Sequence, residues 1–242
     1  MMEIVTFGGN VLSDYYPVIG EQRPLAGKTN EFQTVAGSDG AKFTGSTLGQ
    51  CRLSMRMLVL DRSKSGMRDA MRTIMPLLQS DGPQQLSFSS DDGLYYMAVL
   101  DGEQPFAEYI RNGYLQVNFV TDGPAMYGET KTVTVPSGGT ATIYVGGTYP
   151  TYVRVEGNVS GDATSHMWGV RLDEGDYMHI VTQTTEARNV VIDSGEGVGY
   201  VQDTFTLPTM DSDWFVLKAG VHTIRNDVGS GACTVTWQER WL

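Results

Sequence analysis

The chain has 242 residues, 40% of them hydrophobic, and its 17 Lys and Arg stand against 28 Asp and Glu for a net charge of −11. That apolar content supports a packed core and excludes a disordered chain, and the length fits one large β domain or two ordinary ones. Residues 1–124 carry 10 basic against 14 acidic side chains and residues 125–242 carry 7 against 14, so both halves repel phosphate and sequence-specific nucleic-acid binding is not expected.

The opening MMEIVTFGGN lacks a basic region followed by an apolar stretch, so no secretory signal is read and the chain is expected to fold in a cytoplasm. Nowhere do the ~18 apolar residues of a membrane span run together, and no membrane role is expected. Residues 4–7 and 12–18 read as short strands. Residues 20–32 are polar and contain Pro24, which predicts a long loop or arm. Gly27-Lys28-Thr29 invites a phosphate-loop reading, but the glycine that motif requires five positions earlier is Gln22, so nucleotide binding is set aside.

A strand is predicted over 50–61, where Cys51, Leu53, Met55, Met57 and Val59 alternate with Arg52, Ser54 and Arg56. One helix follows. Ser63 or Ser65 can cap it, Met67, Met71, Ile74 and Leu78 recur at helical spacing, and Pro76 is expected to end or kink it early. Residues 94–100 are apolar without alternation, which predicts a strand covered on both faces. Asn112-Gly113 between 106–111 and 114–120 predicts a hairpin with a type I′ turn.

Gly123-Pro124 marks a break, so two domains are expected, 1–124 and 125–242. The second shows no helical period. Short strands are read at 132–135, 141–145, 152–156, 167–172, 177–182, 189–193, 214–217, 221–224 and 233–237, separated by Gly- and Asp-containing turns, the pattern of a β-sandwich. Gly195, Gly197 and Gly199 read as a flexible turn. Cys51 and Cys233 read as two buried thiols rather than a disulfide.

Chemistry-bearing groups are sparse. His166, His179 and His222 have no second ligand at metal spacing, and no Gly-x-Ser-x-Gly elbow is present. The acidic groups Asp91-Asp92, Asp173-Glu174-Gly175-Asp176 and Asp211-Ser212-Asp213 read as solvated turns rather than as paired catalytic acids or a calcium loop. No catalytic, cofactor-binding or metal-binding residue is assigned. An enzyme is not expected.

Residues 35–60, VAGSDGAKFTGSTLGQCRLSMRMLVL, and 86–102, LSFSSDDGLYYMAVLDG, flank the helix. This strand–helix–strand block resembles the N-terminal domain of the distal tail proteins of long, flexible-tailed phages. Residues 210–242, MDSDWFVLKAGVHTIRNDVGSGACTVTWQERWL, resemble the last hairpin of that family's C-terminal galectin-like sandwich. The resemblance spans most of residues 8–124 and this final stretch. It implies a mainly β chain: an N-terminal β-sandwich-like domain with one α-helix, plus a C-terminal galectin-like β-sandwich.

The resemblance also implies a structural protein of the virion, assembled in the host cytoplasm. It would form a homo-oligomeric, hexameric ring at the distal end of the tail. The ring would join the tail tube protein to the tail fibre or receptor-binding proteins of the baseplate and let DNA cross its lumen without specific binding. The ring interface is not readable. The alternative is a carbohydrate-binding module that contacts the host wall through the second domain, with Trp168 and Trp214 as candidate sugar contacts. None of the three histidines begins the His-x-Asn-x-Arg sugar motif of true galectins, so that departure weighs against the alternative.

Overall fold

The computed structural model describes residues 3–61, 63–102, 106–107 and 113–242. Among the described residues the chain is mainly β, with one α-helix, and it divides into two compact units, Met1–Tyr127 together with Leu242, and Gly128–Trp241. Among the described residues no helix is long and apolar enough to cross a membrane.

The first unit contains β1 (Val5–Phe7), β2 (Asn10–Val11), β3 (Val18–Gln22), β4 (Lys28–Gln33), β5 (Lys42–Leu48), β6 (Arg52–Val59), α1 (Lys64–Leu78), β7 (Gln84–Phe88), β8 (Tyr95–Leu100), β9 (Phe106–Ala107) and β10 (Gly113–Thr121). One antiparallel sheet runs β3-β6-β10-β8-β7-β1, and a bridge between Glu3 and Val18 brings its two ends together. A single curled sheet therefore encloses most of the core.

The period-2 pattern of β6 sets the register. Leu53, Met55 and Met57 are buried beside Phe119, Val117 and Leu115 of β10, to which they pair directly. Phe7 meets Phe119 with ring centroids 5.0 Å apart. The helix lays Ile74 and Leu78 into this core, while Met67 and Ala70 pack with Val59.

The Ser63 hydroxyl caps α1 by accepting the Gly66 N–H at 3.0 Å. Pro76 does not stop the helix, which runs on to Leu78. The lost N–H falls in the last turn, where the buried Ile74 and Leu78 still fix the backbone.

Two further expectations change. Residues 12–18 are not a strand: Leu12–Asp14 forms a 3-10 turn, Pro17 follows, and the strand begins at Val18. β8 is not covered on both faces. Tyr96 and Ala98 are buried, whereas Tyr95, Met97 and Val99 are partly exposed on the other side. The predicted Asn112-Gly113 turn falls at Asn112 outside the described residues, although β9 and β10 on either side do pair antiparallel.

The second unit is formed by β11 (Met126–Val135), β12 (Thr140–Val145), β13 (Thr151–Val159), β14 (Met167–Leu172), β15 (Tyr177–Val181), β16 (Arg188–Asp193), β17 (Val198–Val201), β18 (Thr204–Phe205), β19 (Val216–Leu217), β20 (Gly220–Val228) and β21 (Cys233–Trp241). One sheet is ordered β18-β17-β16-β13-β21-β11 and the other β12-β20-β14-β15. Alternate residues from both sheets, among them Val153, Val155, Trp168, Val170, Ile180, Ile192, Ile224 and Val235, share one buried cluster, which is a β-sandwich.

Cys51 and Cys233 are both free and buried; desolvation pushes the Cys233 thiol up to about 11, so it packs as a small apolar side chain.

Candidate assembly surfaces

Strands β4 and β5 stand apart from the curled sheet as a two-stranded ribbon of their own, paired from Lys28 with Leu48 to Gln33 with Lys42 and bulged at Glu31–Phe32. Every residue of β4 is exposed. Of the polar span 20–32 read as a loop or arm, residues 20–22 belong instead to β3 and pair with β6, and the arm proper is β-paired from Lys28. The Gly49 N–H donates to the Gly27 carbonyl at 2.8 Å and closes the ribbon at its base. Near the other end Phe32 and Phe43 meet edge to face at 5.8 Å, yet remain 62% and 53% exposed. Lys28 and Thr29 open a strand rather than a helix, so the lysine has no helix N-terminus on which to hold a phosphate.

The root of the arm is clamped. Arg23, one residue beyond β3, donates to the Asp91 carboxylate, lies 2.9 Å from Glu21 and donates to the Ser90 hydroxyl at 3.0 Å. Its guanidinium sits 4.7 Å from the centroid of the Phe88 ring. Burial opposes the Arg23 charge, but the Asp91 and Glu21 carboxylates outweigh it and hold the pKa above the usual value. Burial raises the Glu21 carboxyl, and Arg23 offsets only part of that. On the opposite side of Ser90, Glu3 accepts its N–H at 2.9 Å. The arm is therefore anchored at its origin and bare along its length.

The second unit holds a half-buried ionic group. Arg171 donates to Asp227 at 3.0 Å, His179 Nε2 lies 3.4 Å from the same carboxylate oxygen, and the Tyr177 ring covers His179 at 4.6 Å. The Tyr177 hydroxyl donates to Asp211 at 2.9 Å, while the His179 N–H donates to the Ser212 hydroxyl at 3.0 Å. Burial lowers the His179 pKa despite Asp227. Burial would raise Asp227, but Arg171 and His179 bring it below the carboxylate range. This group ties the turn at 209–213 to β15.

The other acids are used locally. Asp173 accepts the Thr223 N–H at 2.7 Å and pairs with His222 Nδ1 at 2.6 Å, and Asp91 serves Arg23. Among the described residues no three His, Cys, Asp or Glu side chains converge as metal ligands.

The two tryptophan candidates separate. Trp168 is wholly buried in the sandwich core, so neither face of its ring can receive a sugar. It lies at an inward position of β14, where Trp168, Val170 and Leu172 alternate into the core while Met167 and Arg171 are partly exposed. Trp214 is 38% exposed, and Tyr152, which the sequence reading passed over, is 45% exposed in an alternating strand where an outward aromatic is visible from the pattern.

The description "Phage tail protein RIFT-related domain" matches residues 12–121, and "Siphovirus-type tail component, C-terminal domain" matches residues 146–241. The crystal structure of the Dit protein (gp 19.1) of phage SPP1, described as a paradigm of the hub adsorption apparatus in phages infecting Gram-positive hosts, shares the fold. It aligns with a TM-score of 0.78 and 18% identity over 100% of both chains. A chain of the phage P2 baseplate in its activated conformation gives a looser likeness, with a TM-score of 0.48 and 11% identity over 99% of this chain and 98% of that one. No curated protein matches. With the two family matches together spanning most of its length, the chain belongs to the siphovirus-type tail components, the phage distal tail proteins.

Proposed function

We propose that this protein forms a closed homo-oligomeric ring of six copies at the distal end of a phage tail, where it joins the tail tube to the adsorption apparatus and leaves a lumen for DNA. Its work is assembly geometry, not catalysis. The observation that carries the reading is the arm. A two-stranded ribbon alone in water is at best marginally stable, and this one exposes Phe32 and Phe43 at a site the rest of the unit does not cover. A ring requires a heterologous contact, with one patch on each subunit meeting a different patch on the next. An arm anchored at Arg23 and reaching outward supplies one such patch.

The same reading gives the protein neighbours at either end of the tail tip: the tube on one side, and tail fibre or receptor-binding proteins on the other. The acidic balance of both parts of the chain fits a conduit that does not retain DNA. Light scattering on the purified full chain tests the ring. A six-copy assembly that is lost when residues 28–48 are replaced by a short Gly-Ser link, with the remaining core still folded, supports the proposal. Assembly unaffected by that deletion refutes the role of the arm.

A further inference from the structure

We propose that the outward face around β13 and the turn at 194–197 binds a neutral glycan, with Trp214 and Tyr152 as its two stacking platforms. Phe215 and Leu217 point into the core, so Trp214 and Val216 face outward, and Val216 lies opposite Tyr152 in the β13–β19 pairing. The turn Gly195-Glu196-Gly197 runs beside both rings. A Cβ on Gly195 would come within 3.3 Å of Tyr152, and one on Gly197, whose φ is +65°, within 4.0 Å of the Trp214 ring.

The turn is held in place: Asp193 Oδ1 accepts the N–H groups of Gly195 at 2.9 Å and Glu196 at 3.1 Å. Arg154 stands 3.6 Å from the other Asp193 oxygen, and the Arg240 guanidinium lies 6.0 Å from the centroid of the Tyr152 ring.

Exposed aromatic faces beside a carboxylate and a guanidinium suit a ligand with apolar C–H faces and hydroxyl edges, because rings take the former and charged planar groups the latter. Charge selects the class of glycan. Residues 125–242 carry twice as many acids as bases, which disfavours phosphate-bearing or uronic wall polymers and leaves neutral sugars. The site does not depend on the ring, since every residue in it belongs to one unit of one chain.

Saturation-transfer NMR on the full chain, with N-acetylglucosamine trimer and phosphate-free wall polysaccharide fragments as probes, tests it. The expected result is saturable binding that Trp214→Ala and Tyr152→Ala each weaken by about tenfold or more. Trp214→Phe, which keeps a ring face, retains most of the binding, and phosphate-rich teichoic acid does not compete. Absence of saturable binding to either probe overturns the proposal. So does binding that both alanine variants leave unchanged while melting at the wild-type temperature. If Trp214→Ala instead abolishes capture of another tail protein and no glycan binds, the face is a protein contact and the proposal fails, whatever the ring measurement gives.

Discussion

Replacing Phe32 and Phe43 together by Ser separates the stability of one subunit from the strength of the contact between subunits. A phenylalanine carries roughly 200 Å² of surface, so exposures of 62% and 53% leave about 120 and 110 Å² free to be covered by a neighbour. At ~25 cal/mol per Å², covering them contributes about 2.5–3 kcal/mol each. Ordering costs reduce the sum, so the double variant is expected to weaken each subunit contact by roughly three orders of magnitude. The fold of the monomer should barely respond, because neither ring belongs to its core. Mass photometry across a dilution series, with a thermal melt of the same samples, reads both quantities. Rings that persist at wild-type dilution, or a melting temperature that falls sharply while assembly is unchanged, would refute the assignment of this ribbon to the contact.

Three further outcomes follow from the cores and the ionic group. Ile74→Ala, at a fully buried position on α1, should cost about 2–5 kcal/mol in urea unfolding, while Leu60→Ala at a position 74% exposed should stay within about 0.5 kcal/mol; equal effects would contradict the placement of the helix. Ser194→Ala removes the hydroxyl that accepts the Val153 N–H at 2.8 Å inside the sandwich, leaving that donor unpaired at a cost of about 1–3 kcal/mol; calorimetry showing no loss would contradict the bond. His179 has a folded pKa below its unfolded one, so the unfolded chain takes up the proton first and stability declines as pH falls below the ordinary histidine value. The lowered carboxyls of Asp227, Asp173 and Glu239 contribute stability above the ordinary carboxylate range and lose it as pH drops through that range. Melting temperature should therefore fall in two steps on acidification, and His179→Gln should remove the upper one; a single step in both proteins would contradict this.

The elements that the sequence revealed are those whose burial has a simple period. β6 alternates, and Leu53, Met55 and Met57 are all buried. The helix shows its buried face at i, i+3 and i+4 with a serine cap. The arm was visible only as polar chain, because a ribbon exposed on both sides has no apolar face to betray its strands. β17 and β18 were missed for a different reason. Gly195, Gly197 and Gly199 look like a flexible turn, and the two residues joining the strands are Gln202 and Asp203, both at positive φ without a glycine to signal it. Gly199 is in fact a strand residue against which Thr206 and Ile180 pack too closely for a Cβ. The candidate glycan face was half legible: Tyr152 alternates outward with Arg154 and Glu156, but its approach to Trp214 depends on a strand pairing across more than sixty residues of chain, which no local pattern encodes.

Negative-stain electron microscopy of the purified full chain, with native mass spectrometry on the same sample, addresses the central claim most directly. The account predicts closed rings of six copies with a central hole, related by rotation with the same contact repeated at every junction. A two-fold dimer built on a self-complementary patch, or a monomer at every concentration, would contradict it.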